Sequence, residues 1–260
     1  MTRTSTITTP TVLLSVLFLV GPALAADLPA RMPAKAPLAA PAPYLNWTGC
    51  YLGAHVGGAW SNTDFDDAFD TPIASASSSS VLGGGQIGCN YQISPNWLVG
   101  VEGEISGTDL KGSAAAPVFP PATLTDSLSA KSDWIASVTA RIGYTSGPWQ
   151  LYAKGGAAWA RYDYHDSGTF GLVPIGFPFT FDFAGRDTPA GWTVGVGGEW
   201  AFTQNWSVSL EYDHYDFGRR TVTLVDPILA ATPGAAGGGV EVLSIKNQIE
   251  TVKLGVNYRF

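Results

Sequence analysis

The stretch TVKLGVNYRF, residues 251–260, decides the fold of this chain. Its apolar residues stand at every second position: Val252, Leu254, Val256, Tyr258 and Phe260. A period of two is that of a β-strand with one apolar face, because successive side chains of a strand point to opposite sides. The stretch therefore predicts a strand whose apolar face ends on aromatic residues.

The same period recurs along the chain, and no convincing helical period appears. It marks eight segments: 47–61, 81–93, 96–109, 131–145, 148–163, 190–202, 205–217 and 248–260. Tight polar turns alternate with four long links that are rich in Ser, Asp, Pro, Ala and Gly: 62–80, 110–130, 164–189 and 218–247. Short turns at one end and long loops at the other are typical of outer-membrane barrels.

The apolar faces of these segments begin or end with Trp or Tyr, as at Trp97, Tyr144, Trp206 and Tyr258. Aromatic residues at both ends of an apolar band suit a membrane interface. A soluble β-sandwich also alternates, but it has no need of long, length-matched strands flanked by aromatics. We therefore predict an all-β fold, an eight-stranded antiparallel up-and-down transmembrane β-barrel.

The first 45 residues have a different composition. Arg3, an apolar run and the small residues Ala23 and Ala25 predict a cleavable signal peptide over 1–25. Five prolines within 26–45 predict an extended periplasmic tail, which leaves 46–260 for the barrel. The predicted location is the cell outer membrane, with its lipid as a partner. A net charge of -7 without a basic patch argues against nucleic acid.

The polar faces carry charges of both signs, which the barrel would enclose. The predicted interior network consists of Glu102, Glu104, Glu199, Glu211, Asp213, Arg141, Lys154, Lys253 and Arg259. An eight-stranded barrel is just wide enough for side chains to fill it. Buried charges must be paired, so we expect interlocked ion pairs that close the lumen, and a charged conduction path is the alternative.

The chain has two cysteines, Cys50 and Cys89, on the outward faces of adjacent strands one and two. In an oxidising periplasm they could form a cross-strand disulfide. Two separate lipid-facing thiols that act as small apolar residues are the alternative.

No cofactor is expected from the sequence, with haem as the alternative. Tyr164, His165 and His214 fall at the loop-side ends of their strands, and Tyr and His can both ligate haem iron. We favour the simpler explanation, that they are solvated side chains at aromatic-rich bases of loops. His214 beside Asp213 and Asp216 lacks a spaced nucleophile motif, so no catalytic residue and no enzymatic activity are predicted.

Several segments resemble one known family. They are NWTGCYLGAHVGGAW (46–60), GGGQIGCNYQ (83–92), WLVGVEGEISG (97–107), WTVGVGGEWAF (192–202), WSVSLEYDHYDFG (206–218) and VKLGVNYRF (252–260). They are similar, in the same order, to strands of the alphaproteobacterial outer-membrane β-barrel family, often described as porin-family or outer-membrane immunogenic proteins. The cysteine pair departs from the pattern.

This resemblance implies an OmpA-like eight-stranded barrel with surface-exposed loops. The implied role is structural: envelope integrity, and contact with host or environmental ligands at the loops. Some members of the family bind haemin, and a narrow porin is a further alternative. Tyr258 and Phe260 resemble the terminal aromatic signal that the barrel-assembly machinery recognises, which makes that machinery an expected partner during biogenesis.

Overall fold

The computed structural model describes residues 45–66, 72–115, 123–171, 178–232 and 236–260. The predicted signal peptide and all but the last residue of the predicted tail lie outside them. The described strands are β1 (Gly49–Asp66), β2 (Pro72–Gln92), β3 (Trp97–Ala115), β4 (Thr123–Ser146), β5 (Trp149–Gly171), β6 (Pro178–Asp187), β7 (Ala190–Ala201), β8 (Trp206–Val225) and β9 (Val240–Arg259). A four-residue helix, α1 (Pro227–Ala230), follows β8. No helix within the described ranges is long and apolar enough to cross a membrane.

The strands form a closed antiparallel ring. Each strand from β1 to β5 pairs with the next, and β8 pairs with β9. Strands β6 and β7 share one place, since both pair with β5 on one side and with β8 on the other. The pairing of β1 with β9 completes the ring, from Tyr51 opposite Arg259 to Asp66 opposite Ser244. The eight places of the ring confirm the predicted barrel.

One strand position is interrupted between β6 and β7, at Thr188 and Pro189. Proline has no backbone N–H, so it cannot donate to a neighbouring strand. The Arg220 guanidinium donates a hydrogen bond to the carbonyl of Ala190, just after the break, at 2.8 Å. The two pieces remain in one wall because each pairs with β5 and with β8.

The outer face of the lower barrel is apolar and exposed. Leu52, Val56, Val101, Ile142, Leu151, Leu210 and Leu254 are each at least half exposed. At the short-turn end aromatic rings pair across strands: Trp97 with Tyr144 at 5.5 Å, Trp149 with Trp200 at 6.0 Å and Trp206 with Tyr258 at 5.0 Å between centroids. Trp60, Trp134, Trp159 and Trp192 mark the other boundary. The band between these two aromatic girdles faces the membrane hydrocarbon.

The prediction of four long loops is wrong over most of their length. Strands continue through 62–66, 72–80, 110–115, 123–130, 164–171, 178–187, 218–225 and 240–247. A Ser-rich and Asp-rich composition predicts a loop, but such residues also suit the solvent-exposed outer face of a strand. Once neighbouring strands are paired, extending the ladder satisfies further backbone groups.

This extracellular extension reverses the polarity of the wall. Its interior is an apolar core that includes Phe65, Ala76, Leu82, Leu110, Leu128, Ile135, Tyr162, Tyr164, Phe217, Leu224, Leu243 and Ile245. Its outer face carries exposed polar side chains such as Asp64, Ser77, Ser79 and Lys111. The lower barrel is apolar outside and charged inside, and the extension is the opposite.

Candidate functional site

Lys154 is the centre of a charged cluster inside the lower barrel. Strand β5 directs it into the lumen, where its side chain is 1% exposed. Its Nζ lies near four carboxylates: 3.1 Å from Glu102, 3.3 Å from Glu104, 2.5 Å from Glu211 and 3.4 Å from Asp213. One ammonium thus bridges carboxylates from β3 and β8.

Lys253 is the second lysine of the cluster and comes from β9. Its Nζ lies 2.5 Å from Glu104, 3.0 Å from Glu211 and 2.6 Å from Asp213. Three of the carboxylate groups, Glu102, Glu104 and Glu211, approach within 4.8 Å of one another. All three also contact Lys154, so lysine nitrogens already occupy the space that a metal ion would need.

Arg141 on β4 completes the cluster on its lower side. It lies 3.3 Å from Glu102 and 3.5 Å from Glu199, and its guanidinium carbon stands 3.7 Å from the centre of the Tyr152 ring. It also donates to the Tyr51 hydroxyl at 2.6 Å, and that hydroxyl donates in turn to Glu102. The aromatic ring and the hydroxyl compensate a cation that has left water.

A polar relay joins this cluster to the β1–β9 pairing. The Nδ1 and Nε2 atoms of His55 lie 2.5 Å from the Gln86 side-chain oxygen and 2.8 Å from the Ser106 hydroxyl. Gln86 donates to Asn257 at 2.8 Å, and Asn257 donates to Glu199 at 3.2 Å. These contacts fill the lumen between β1, β2, β3 and β9.

The periplasmic mouth is closed by Trp47, which is 1% exposed. Its indole packs with Leu98 and Ala201 and donates a weak 3.5 Å hydrogen bond to the carbonyl of Gly147, in the β4–β5 turn. The Arg259 guanidinium stacks over it at 4.6 Å. Trp47, which lies just before β1, therefore covers the periplasmic opening of the barrel.

Arg259 was predicted to belong to the ion network, but no ion pair joins it to the cluster among the described residues. Its guanidinium donates to the backbone carbonyl of Gln204 at 2.8 Å and lies against Trp47. The alternation of side chains gives the face on which a residue lies and not its height, and Arg259 lies at the mouth. The other eight predicted members lie together in the lumen.

The lumen holds little empty space at the level of the cluster. A cavity of about 10 Å³ is lined by residues that include His55, Glu102, Glu104, Tyr152 and Glu211. That volume is about the minimum for a single water molecule. Side chains therefore fill the lumen at the level of the charged cluster.

Cys50 and Cys89 are joined by a disulfide bond between β1 and β2. They stand directly opposite each other in the β1–β2 register, on the lipid-facing side. The backbone carbonyl of Cys50 accepts a hydrogen bond of 3.1 Å from the N–H of Phe260. The disulfide thus lies beside the line where the barrel closes.

The structure does not bring the three residues of the haem hypothesis together. Tyr164 is buried in the extension, and its hydroxyl accepts a 2.6 Å hydrogen bond from Asn247. His165 points outward, 4.0 Å from Asp182. His214 lies lower on the outer face, with its ring 5.6 Å from that of Trp192. Adjacent residues of a strand face opposite sides, so Tyr164 and His165 cannot share a ligand.

The same rule separates the residues considered for catalysis. His214 faces outward, whereas Asp213 is fully buried among the lysines. Asp216 accepts from the Gln248 side chain at 2.9 Å and from the backbone N–H of Gly218 at 2.7 Å. No acid, base and nucleophile converge at this place on the wall.

At the extracellular end, Asp226 links β8 to β6. Its carboxylate accepts from the backbone N–H groups of Asp182, Ile228 and Leu229, at 2.9, 2.9 and 3.1 Å, and so caps α1. These hydrogen bonds, led by that from Asp182, hold the pKa of Asp226 below its usual range.

A second link at this end joins β5 to β6. Arg186 donates to Asp163 at 2.5 Å and lowers the pKa of that carboxyl. Together with the Asp226 links, this exposed pair tethers the outermost strand segment to both of its neighbours. The rim therefore depends on carboxylates that must stay ionised.

Sequence reasoning missed the aromatic and neutral members of the lumen. Tyr51, Tyr152, Gln86 and Asn257 lie on inward positions, and the period of two could have identified their face. Nothing in the period indicates that Trp47, just before β1, turns into the mouth.

Comparisons with known proteins agree with this geometry. A model of the outer membrane protein beta-barrel domain matches residues 12–260. The 31 kDa outer-membrane immunogenic protein of Brucella melitensis is 29% identical over 234 residues, covering 85% of this chain and 86% of that protein. The 25 kDa outer-membrane immunogenic protein of Brucella abortus is 25% identical over 240 residues, covering 92% and 91%.

Among solved structures, the outer membrane protein OprG from Pseudomonas aeruginosa has a similar fold. The comparison of the two chains gives a TM-score of 0.51 at 10% identity and covers 84% of this chain and 99% of OprG. The likeness concerns the fold alone. The family match and the two outer-membrane immunogenic relatives place the protein in the outer membrane. The chain belongs to the outer-membrane β-barrel protein family.

Proposed function

We propose that this protein is a structural outer-membrane barrel, non-catalytic and closed to solutes, that strengthens the envelope and displays its extracellular extension to the surroundings. The observation that carries the proposal is a lumen filled at three levels. Trp47 covers the periplasmic mouth, the ion cluster fills the centre and an apolar core fills the extension. A barrel whose lumen is filled in this way serves as a rigid anchor and does not serve as a channel.

The extension supports the display role. It carries polar and charged side chains outward on every strand from β1 to β6, as at Asp64, Ser79, Lys111 and Arg186. Such a surface stays in water and offers hydrogen-bonding groups to host or environmental ligands. Its apolar core keeps those groups in fixed positions.

Electrical recording tests the closed lumen. The purified protein, inserted in a planar bilayer, is expected to give no ion current at moderate voltage. The Trp47→Ala, Lys154→Ala double variant is the matched control, because it removes side chains at two of the three levels. Steady single-channel steps from the wild-type protein would contradict a closed barrel and favour a narrow porin.

Envelope strength is tested in cells that lack the gene. We expect them to become more sensitive to detergent and to chelators of divalent cations, and the wild-type gene should restore resistance. A secreted form that cannot insert, truncated before β9, should fail to restore it. Equal resistance with and without the gene would contradict the structural role.

A further inference from the structure

His55 is a buried titratable group for which a structural barrel has no evident need. It lies on the lumen side of β1, 5% exposed, and each ring nitrogen makes one short hydrogen bond. A neutral imidazole has one donor and one acceptor nitrogen, whereas an imidazolium has two donors. The protonation state of His55 therefore depends on whether each of its two partner atoms donates or accepts.

A relay of hydrogen bonds that begins at the Glu199 carboxylate determines whether the Nδ1 atom of His55 donates or accepts. Glu199 can only accept, so the amide NH₂ of Asn257 faces it and the Asn257 oxygen faces Gln86. Gln86 must then donate its own NH₂ to that oxygen, which leaves its carbonyl oxygen toward His55. The Nδ1 atom of His55 is consequently a donor.

The donor or acceptor role of Nε2 depends on a second carboxylate, that of Glu104. The Ser106 hydroxyl has a single proton and lies 3.2 Å from a Glu104 oxygen and 2.8 Å from the Nε2 atom of His55. When it donates that proton to Glu104, its oxygen accepts from Nε2. We propose that His55 is held as an imidazolium that hydrogen-bonds both relays, and that it acts as a proton-dependent lock between β1 and its neighbours β2, β3 and β9.

The charges of the lumen agree with a fourth cation. Five buried carboxylates face only three buried cations of fixed charge there, as follows: Glu102, Glu104, Glu199, Glu211 and Asp213 against Arg141, Lys154 and Lys253. An imidazolium at His55 reduces that excess, and its Nε2 lies 3.8 Å from Glu104.

The groups that face His55 come from every strand packed around it. Strand β2 contributes the uncharged Gln86, β3 contributes Glu104 and β9 contributes Lys253. Across the small cavity stand Glu102, Tyr152 and Glu211. Lys253 is the only cation on this lining, and it is engaged by Glu104, Glu211 and Asp213. Carboxylates outnumber cations around His55.

The wall also makes room for the relay. A Cβ atom on Gly84 would lie 2.8 Å from the Nε2 atom of His55 and 2.0 Å from the backbone oxygen of Ile105. A Cβ atom on Gly53 would lie 2.0 Å from the Asn257 side-chain oxygen. Only glycine at these two positions allows the imidazole and the two amides to line up.

Loss of the proton breaks one link. A neutral His55 keeps its Nδ1 proton on the Gln86 oxygen, and the Ser106 hydroxyl turns its proton to the bare Nε2 atom, so that Glu104 loses its hydrogen bond from Ser106. The lock therefore stabilises the folded barrel while His55 is protonated, and this contribution disappears when the proton is lost. The protein becomes easier to unfold on the alkaline side.

Nitrogen NMR of the folded protein in detergent micelles tests the protonation state. The chain has three histidines, so the His165→Gln, His214→Gln double variant, made without a histidine tag, contains His55 alone. At about pH 6.5, where a free imidazole is half protonated, both His55 nitrogens are expected to carry protons. One protonated and one bare nitrogen at that pH would overturn the proposal.

Heat unfolding tests the lock itself. The unfolding midpoint of the double variant is expected to fall when the pH is raised far enough to remove the His55 proton. The triple variant that adds His55→Gln should lose this step while it keeps any slope due to other groups. The same pH step in both variants would refute the lock even if the imidazolium is observed. Should the triple variant fail to fold, the NMR result still decides the protonation state.

Discussion

Lys154 illustrates how a single residue holds the barrel interior together. It contacts four carboxylates from two strands, and all four are buried. A buried ion pair is weak evidence of net stability, because both groups have lost hydration. Removing one partner is nevertheless costly, since it leaves the others charged and uncompensated. The cluster therefore acts as a unit.

We expect Lys154→Met to lower the free energy of unfolding by about 3–5 kcal/mol, because it strands buried carboxylates. Urea unfolding in lipid vesicles, followed by tryptophan fluorescence, measures the change. Lys111→Met is the matched control: its ammonium is exposed and contacts Asp109 at 2.7 Å. That variant should stay within about 0.5 kcal/mol of the wild type. Equal stability of the two variants would contradict a compensated cluster.

At the level of elements, the first two strands are tied covalently. The disulfide closes a loop whose cysteines are 39 residues apart in sequence. Cross-linking lowers the entropy of the unfolded chain and so favours the folded hairpin. Because β1 also borders β9, the β1–β2 hairpin forms one side of the line of closure.

The Cys50→Ala, Cys89→Ala double variant should lose about 2–4 kcal/mol of stability through this effect. The measurement is urea unfolding with and without reductant. Reductant should destabilise the wild-type protein and leave the double variant unchanged, which makes the variant its own control. A wild-type protein that ignores full reduction, checked by mass, would contradict this role of the disulfide.

The rim elements should depend on pH. The pKa of Asp226 is depressed in the folded state, so its capping contribution is present above the ordinary pKa of aspartate. It is lost as the pH falls through the lowered value. We expect the amides of Asp182, Ile228 and Leu229 to lose protection from hydrogen exchange in acid.

The Asp226→Ala variant should show that loss of amide protection already at neutral pH. Asp64→Ala, an exposed carboxylate of the extension without a capping role, serves as its control. Protection that is equal in the wild type and in Asp226→Ala at neutral pH would contradict the cap.

The strands also show how far sequence reasoning reaches. The faces of β9 follow from the period alone, because a one-residue error would place Lys253 in lipid and Leu254 among charges. The length of the strands could not be predicted in that way. In the extension, Phe65 and Leu110 face inward among polar neighbours, and their alternation is hidden by Ser and Asp on the wet side. Contacts of Trp47 with Leu98 and Gly147 join distant parts of the chain, which no local pattern reveals.

For the whole molecule, closure of the ring is the decisive step. Strand β9 pairs with β1 along its length, and the rings of Tyr258 and Phe260 lie 5.7 Å apart on the lipid side. Until β9 arrives, β1 and β8 are open edges in a medium that offers no other hydrogen-bonding partner. The last strand therefore completes the wall.

Deletion of Phe260 should reduce the amount of protein in the outer membrane more than it changes the properties of the molecules that insert. The aromatic residue resembles an assembly signal, and its ring adds little to the lumen. Quantitative immunoblots of membrane fractions and heat-dependent gel mobility give the two readings. Phe202→Ala, another exposed aromatic at the same end, is the control. Normal outer-membrane levels after the deletion would contradict the role of Phe260 in assembly.

The reversal of wall polarity sets the depth at which the protein sits. Moving the barrel inward by two residues per strand, about 7 Å along the strand, would draw polar residues of the outer face such as Asn62 and Asp64 toward the hydrocarbon. Moving it outward would expose the aliphatic band and carry the lower girdle out of the interface. Both displacements raise the free energy. The polarity of the wall therefore fixes the insertion depth of the barrel and keeps the extension at a constant height above the cell surface.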